Sequence, residues 1–231
     1  MDKRFWIILA AIAVVLGGIF FFTSGNKAGA PSGDAKPTSH LSGNNTTNVA
    51  LVEYGDFQCP ACGQYYQPVK ELVEKYKDKI SFQFRNFPLY QIHPNAVAAS
   101  RAAEAAGLQG KYWEMHDKIY QENYTQQVAQ SQGSSYSTWV DSKNPETQFV
   151  DYARGLGLNV EKFKSDFKSS NVNDLVQADL KEGNKLDVRS TPTFFINGKK
   201  IDNPSPTVDE FSKVIDKAIA DNAKSSSKDK N

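Results

Sequence analysis

Cysteine is almost missing from this chain of 231 residues: there are two, Cys59 and Cys62, so no structural disulfide can exist beside a pair made by these. Histidine is nearly as sparse, with His40, His93 and His116 the only three. Zinc asks for about four ligands, and this small stock, with His40 in a segment that reads as linker, makes a poor supply of them. Charge of one sign is lacking as well: the formal net charge is +1, which gives no reason to expect a nucleic-acid partner. No glycine-rich phosphate loop, metal-ligand cluster or Ser-His-Asp arrangement stands out. Nothing calls for an organic cofactor or a metal, and attention falls on where the two thiols sit.

They form Cys59-Pro60-Ala61-Cys62, directly after the strand-like run from Val49 to Tyr54 and at the head of a helical pattern. Pro60 presets the backbone dihedral wanted at the first helical position, and Tyr66, Val69, Leu72, Val73 and Tyr76 recur at helical spacing. Cys59 therefore falls at a helix N-terminus, where unpaired N–H groups and the positive end of the helix dipole favour a thiolate. Cys62, one turn on, lies on the same side within disulfide reach. This arrangement predicts a redox-active dithiol in which one thiol attacks and the other resolves. A zinc half-site shares the spacing. A purely structural staple would be a poor use of it, because a two-residue loop removes little freedom from the unfolded chain.

The ends read as appendages. Phe5 to Phe22 is an unbroken run of 18 apolar or glycine residues, long enough to span a bilayer and longer than the apolar region of about 7 to 15 residues usual in secretory signals. Lys3 and Arg4 precede it, which places residues 1–4 in the cytoplasm and the rest outside, a single-pass cell-membrane protein. A cleaved signal is the alternative. Residues 23–47, rich in Gly, Ser, Thr, Asn, Lys and Pro, read as a flexible linker, and residues 221–231 as a disordered tail.

Between these the order is strand, helix, strand, then helices for about a hundred residues, then a hairpin and a closing helix. Ile80 to Phe87 alternates as a strand; Pro94 can open an Ala-rich helix that Gly107 stops; Lys111 to Asn123 is helical; Thr125 to Thr138 reads as a polar loop. Pro145 to Leu156, Val160 to Phe167 and Val172 to Leu186 are further helices. Asn197-Gly198 between Thr193–Ile196 and Lys199–Ile201 is a strong hairpin signal, and a helix from about Thr207 closes the chain.

With Phe57-Gln58-Cys59-Pro60-Ala61-Cys62 after the first strand, Phe87-Pro88-Leu89 and His93-Pro94, Tyr112-Trp113-Glu114-Met115-His116-Asp117, and Ser190-Thr191-Pro192-Thr193-Phe194 before the hairpin, the chain resembles the DsbA-like thiol-disulfide oxidoreductases of the membrane-anchored, extracytoplasmic kind. The resemblance covers residues 48–220. It implies an α/β thioredoxin fold with a helical insertion at about 94–170, preceded by one transmembrane helix. Cys59 resembles the family's attacking cysteine, exposed to substrate, and Cys62 its buried resolving partner. Thr191-Pro192 resembles the cis-proline loop that faces the dithiol, so Thr191, Pro192, Pro60 and Ala61 would meet the substrate. Glu53 stands where the family keeps a buried acid; its strand looks apolar on both faces, and burial there would raise its pKa and let it relay the proton of Cys62. A solvated strand-end glutamate is the alternative. Asp56 reads as a turn residue before the helix, His93 as a capping or packing residue or a contact near the groove, and His116 as a core histidine.

Ala61 departs from the family's strongly oxidising members, which carry a histidine there; alanine gives a thiolate no hydrogen bond and no charge, so the pair is expected to be less oxidising. The function expected is disulfide formation in reduced or unfolded secreted proteins, with an unidentified membrane partner to reoxidise the pair. A reductase or isomerase running the pair reduced is the alternative within the same chemistry. A membrane-tethered polypeptide-binding or chaperone module is the alternative from another class.

Overall fold

The computed structural model describes residues 35–228. Among these the strands form one sheet in the order β1-β3-β2-β4-β5: β1 is Leu41–Ser42, β2 Val49–Gly55, β3 Ile80–Asn86, β4 Thr193–Ile196 and β5 Lys199–Lys200. The central strand β2 runs parallel to β3 and antiparallel to β4. A parallel neighbour requires a crossover, and helix α1, Pro60–Tyr76, supplies it. The thiols lie where β2 hands over to α1.

Both faces of β2 are covered, which is why its sequence lacks a clean polar alternation. Val49, Leu51 and Glu53 face the larger core with Leu72, Phe84 and Phe211. Tyr54 faces the other side with Phe87, Val188 and Phe195. Over that second face lies α6, Ser170–Lys185, whose Gly183 leaves room for the Phe87 ring; a Cβ there would come within 2.7 Å of it. The closing helix α7, Val208–Lys228, packs on α1 and β2.

The insertion is helical, as expected. It comprises α2 (Ala96–Gly107), α3 (Tyr112–Ser131), a single 3-10 turn (Trp139–Asp141), α4 (Pro145–Gly155) and α5 (Val160–Lys168). Six alanines of α2 are fully buried, and small side chains let α3, α4, α5 and α6 approach this helix on several sides. The hairpin turn also forms as expected: Asn197 and Gly198 take φ of 49° and 77°.

Four readings change. The segment expected to be a loop after Asn123 continues α3 to Ser131, because its amides bond inward: Gln126 accepts from the Thr138 N–H and hydroxyl at 2.6 and 2.7 Å. Helix α2 starts at Ala96, not Pro94, with the Asn95 side chain donating to the carbonyls of Trp139, Val140 and Ser142. Residues 35–47, expected to be linker, pack on the domain. There Thr38 bonds Asp179, the His40 ring stacks on Tyr112 at 3.4 Å, and β1 pairs with β3. Helix α7 continues past Asp221, where a tail was expected, to Lys228. The apolar run at 5–22 lies outside the described residues. Among the described residues no helix is long and apolar enough to cross a membrane.

Candidate active site

Cys59 is the N-cap of α1, with extended backbone angles of −66° and 124°, and Pro60 takes the first helical position. The Cys59 carbonyl accepts the first helical bond, from the Gly63 N–H at 3.1 Å. No side chain caps this end, so its N–H groups are left to face the sulfur. The thiols are free, and the Cys59 Sγ–H donates to the Thr191 carbonyl at 3.5 Å. Thr191-Pro192 is cis. Thus the two motifs, more than a hundred residues apart in sequence, meet at one point.

Exposure differs from expectation at the attacking thiol. Cys59 keeps 7% of its surface open and Cys62 only 1%, so both are largely covered and only the edge of Cys59 reaches solvent. Pro60 is exposed and Ala61 half-buried beside them, while Thr191 and Pro192 are buried.

The two sulfurs are driven apart electrostatically. Cys59 is lowered to about 6, first by the hydrogen bond from Cys62, with Thr191 and the Cys62 backbone N–H adding to it against the cost of burial and the Asp56 charge. Cys62 is pushed well up by burial, then by its role as donor to Cys59 and by the charges of Cys59 and Glu53. A thiol that leaves as thiolate at neutral pH therefore stands beside one that holds its proton.

Glu53 lies beneath them in mid-strand, paired in register with Phe84 on one side and Phe194 on the other. It is buried and makes no hydrogen bond with any described residue. Burial first, and then the Cys59 charge, push it up to about 8. At neutral pH it is mostly the uncharged acid. It lines a cavity of about 270 Å³ between α1, α3 and β3, together with Tyr66, Val73, Phe82, Trp113 and His116 among others and with none of Cys59, Cys62, Thr191 and Pro192. His116 is the buried histidine expected from its face: burial lowers its pKa, and it sits within 5.4 Å of the Phe57, Phe84, Trp113 and Tyr120 rings.

Asp56 departs most from its reading as a turn residue. Its side chain is wholly buried; Oδ1 accepts from the Gln58 N–H at 2.7 Å, and Oδ2 from the Leu89 N–H at 2.8 Å and His93 Nδ1 at 2.7 Å. Its backbone holds both cysteines: the carbonyl accepts from Cys59 N–H at 3.1 Å, and the N–H donates to Cys62 Sγ at 3.5 Å. His93, left open between packing and the groove, is thus joined to the site through Asp56. The sequence signal was the pairing of Phe87-Pro88-Leu89 with His93-Pro94, which spaces a backbone N–H and an imidazole to meet one carboxylate. Tyr120 was legible only as part of the helix face it shares with Trp113, His116 and Ile119. Its hydroxyl, buried and without a hydrogen-bond partner among the described residues, would lie 2.9 Å from a Cβ at Gly55.

A thioredoxin-like α/β sheet thus carries an unequal dithiol at the N-terminus of its first helix, with a cis X-Pro loop against the outer sulfur. The comparisons agree on the fold. The family described as Thioredoxin matches residues 35–217, and the chain belongs to it. Among solved structures, it is similar to oxidised BdbD from Bacillus subtilis (TM-score 0.64, 20% identity, covering 80% of this chain and 97% of that one). It is similar likewise to alpha-DsbA1 from Wolbachia pipientis (TM-score 0.63, 20% identity, 82% and 94%). A thioredoxin-like oxidoreductase from Silicibacter pomeroyi DSS-3 matches with TM-score 0.60 at 24% identity, covering 78% and 91%. Curated relatives carry another name: Na(+)/H(+) antiporter NhaA 1 of Mycolicibacterium gilvum is 33% identical over 167 residues, 71% of this chain and 24% of that protein. The corresponding protein of Salinispora arenicola is 32% identical over 181 residues, 78% and 25%. The chain spans about a quarter of the length of these relatives.

Proposed function

We propose that this protein forms disulfides in reduced secreted or surface polypeptides, working outside the cytoplasm on a membrane tether. The observation that carries the reading is the split between the thiols, with Cys59 lowered to about 6 and Cys62 pushed well up. In the oxidised enzyme a substrate thiolate attacks Cys59 Sγ; a new bond forms there, the Cys59–Cys62 bond breaks, and Cys62 leaves as thiolate. Glu53, uncharged at neutral pH, gives Cys62 its proton. A second substrate thiolate then attacks the first substrate sulfur and expels Cys59, a good leaving group because its thiolate is stable. Two electrons have passed from the substrate to the enzyme. The peptide groups of Thr191 offer a substrate segment strand-like pairing, with Pro60, Ala61 and Pro192 as its floor.

The tether rests on the apolar run from Phe5 to Phe22 after Lys3 and Arg4. The reduced pair requires a membrane oxidant to reset it. Ala61 favours one second reading, a reductase, since it withholds a donor from the thiolate. Equilibrating the full-length protein with glutathione and dithiothreitol buffers separates the two. A potential near about −120 mV is expected for disulfide donation, and one near about −270 mV would replace it with the reductase.

A further inference from the structure

Between its cysteines this chain has only Pro60 and Ala61, neither able to give a thiolate a charge or a side-chain hydrogen bond. A histidine reaches the same loop from elsewhere. His93 ends the turn that follows β3, where its own N–H bonds the Leu89 carbonyl at 2.9 Å, and Nδ1 lies 2.7 Å from Asp56 Oδ2. The other two donors on Asp56 are backbone N–H groups, of Gln58 and Leu89, so the imidazole is the one side chain shown bonded to this carboxylate. Asp56 in turn touches both cysteines through its backbone, and Gln58, whose N–H it holds, accepts from the Asn95 N–H at 2.7 Å. The dithiol loop is therefore built around a buried acid whose counter-charge comes from His93.

That acid works against the thiolate. The Asp56 charge raises Cys59, whereas the Cys59 thiolate raises His93, and coupling between two sites is reciprocal. We propose that His93 is a positioning residue for the dithiol: by holding Asp56 and offsetting its charge, it keeps Cys59 a stable leaving thiolate in a loop that supplies no cation of its own. This rests on the oxidoreductase reading and adds to it the residue that tunes the pair. The charged groups facing His93 are Asp56 and Cys59, and the bond to Asp56 is the main cause that holds it above the usual imidazole value. Its positive charge therefore persists to higher pH than that of an ordinary imidazole; where the charge is lost, part of the thiolate's stability goes with it and the pair becomes less oxidising.

His93→Asn can still donate a hydrogen bond to Asp56 but carries no charge, so a mere clamp and a charge-bearing group give different results. In the full-length protein, thiolate absorbance followed against pH reads the Cys59 pKa, and equilibration with glutathione reads the potential. The expected result for His93→Asn is a Cys59 pKa higher by about one unit and a pair about tenfold less oxidising, or about 30 mV for a two-electron couple. The step that loss of the His93 proton puts into the wild-type potential as pH rises should vanish as well. An unchanged thiolate titration and glutathione constant overturns the inference and leaves His93 a clamp. His93→Gln makes the same removal of charge with a longer amide, so one variant decides if the other does not fold. A wild type whose thiols fail to equilibrate with glutathione sinks the oxidoreductase reading itself, and the inference with it.

Discussion

Two buried carboxyls sit in this domain in opposite company. Asp179, wholly buried on α6, accepts from the Thr38 N–H and hydroxyl at 2.7 and 2.8 Å, the Asn86 N–H and side-chain amide at 2.9 and 3.1 Å, and Arg85 at 3.2 Å. Glu53, one strand away on β2, has a phenylalanine on either side and no hydrogen bond from any described residue. The first joins β3, α6 and the start of the domain, and its hydrogen bonds and ion pair offset the cost of burial. The second carries that cost unrelieved, and its pKa moves instead. An acid that only holds a fold is surrounded by donors. An acid left bare beneath a dithiol is available to give up a proton.

The comparison breaks most visibly if Asp179 is removed. Asp179→Ala leaves Arg85 and several N–H groups buried without their acceptor, and a loss of about 3 to 5 kcal/mol is expected in urea unfolding. A loss below about 1 kcal/mol would show the network to be ornamental.

Glu53→Gln should act with the opposite sign. The folded value of about 8 lies above the ordinary 4.5, so the folded state binds the extra proton, and this group's contribution declines as pH rises from about 4.5 to about 8 and is flat above. The variant is expected to be more stable than the parent by on the order of a few kcal/mol at neutral pH, to lose that part of the pH dependence, and to oxidise thiols at least about tenfold more slowly. Equal stability of the two proteins at pH 5 and pH 9 would contradict the bare-acid account. The finest of the three effects belongs to Thr38→Val, which removes one hydroxyl bond to Asp179 while keeping the shape. About 1 kcal/mol is expected from the same unfolding curves, with no change in the redox potential.

What the sequence made legible is what periodicity and backbone chemistry encode. Pro60 at the head of α1, Asn197-Gly198 in the hairpin and the burial of Glu53 in a strand apolar on both faces all follow from local pattern. The meeting of Thr191-Pro192 with Cys59 was legible only through resemblance. What escaped was polar. Asp56, Gln126, Asn123, Thr38 and His40 are buried or half-buried because each finds partners far along the chain, as when Asn123 donates to the Phe57 carbonyl at 2.6 Å. Four of them read as turn, loop or linker and Asn123 as the end of a helix, since nothing in the order of residues shows that a distant donor or acceptor will arrive. For the same reason the domain begins before residue 48: Thr38 and His40 are held by hydrogen bonds and a stacked ring, and no apolar stripe announces them.

The cavity beside Glu53 gives the domain separate entrances. On the proposed function a polypeptide would occupy the end of the site at Cys59 and Thr191; the cavity lined by Val73, Phe82 and Trp113 shares none of those residues. Client and solvent therefore need not queue at the same door. On that reading the acid would refill from the rear while the sulfur is still engaged in front, and a slow, bulky or tightly held client would delay the exchange of disulfides without starving it of protons.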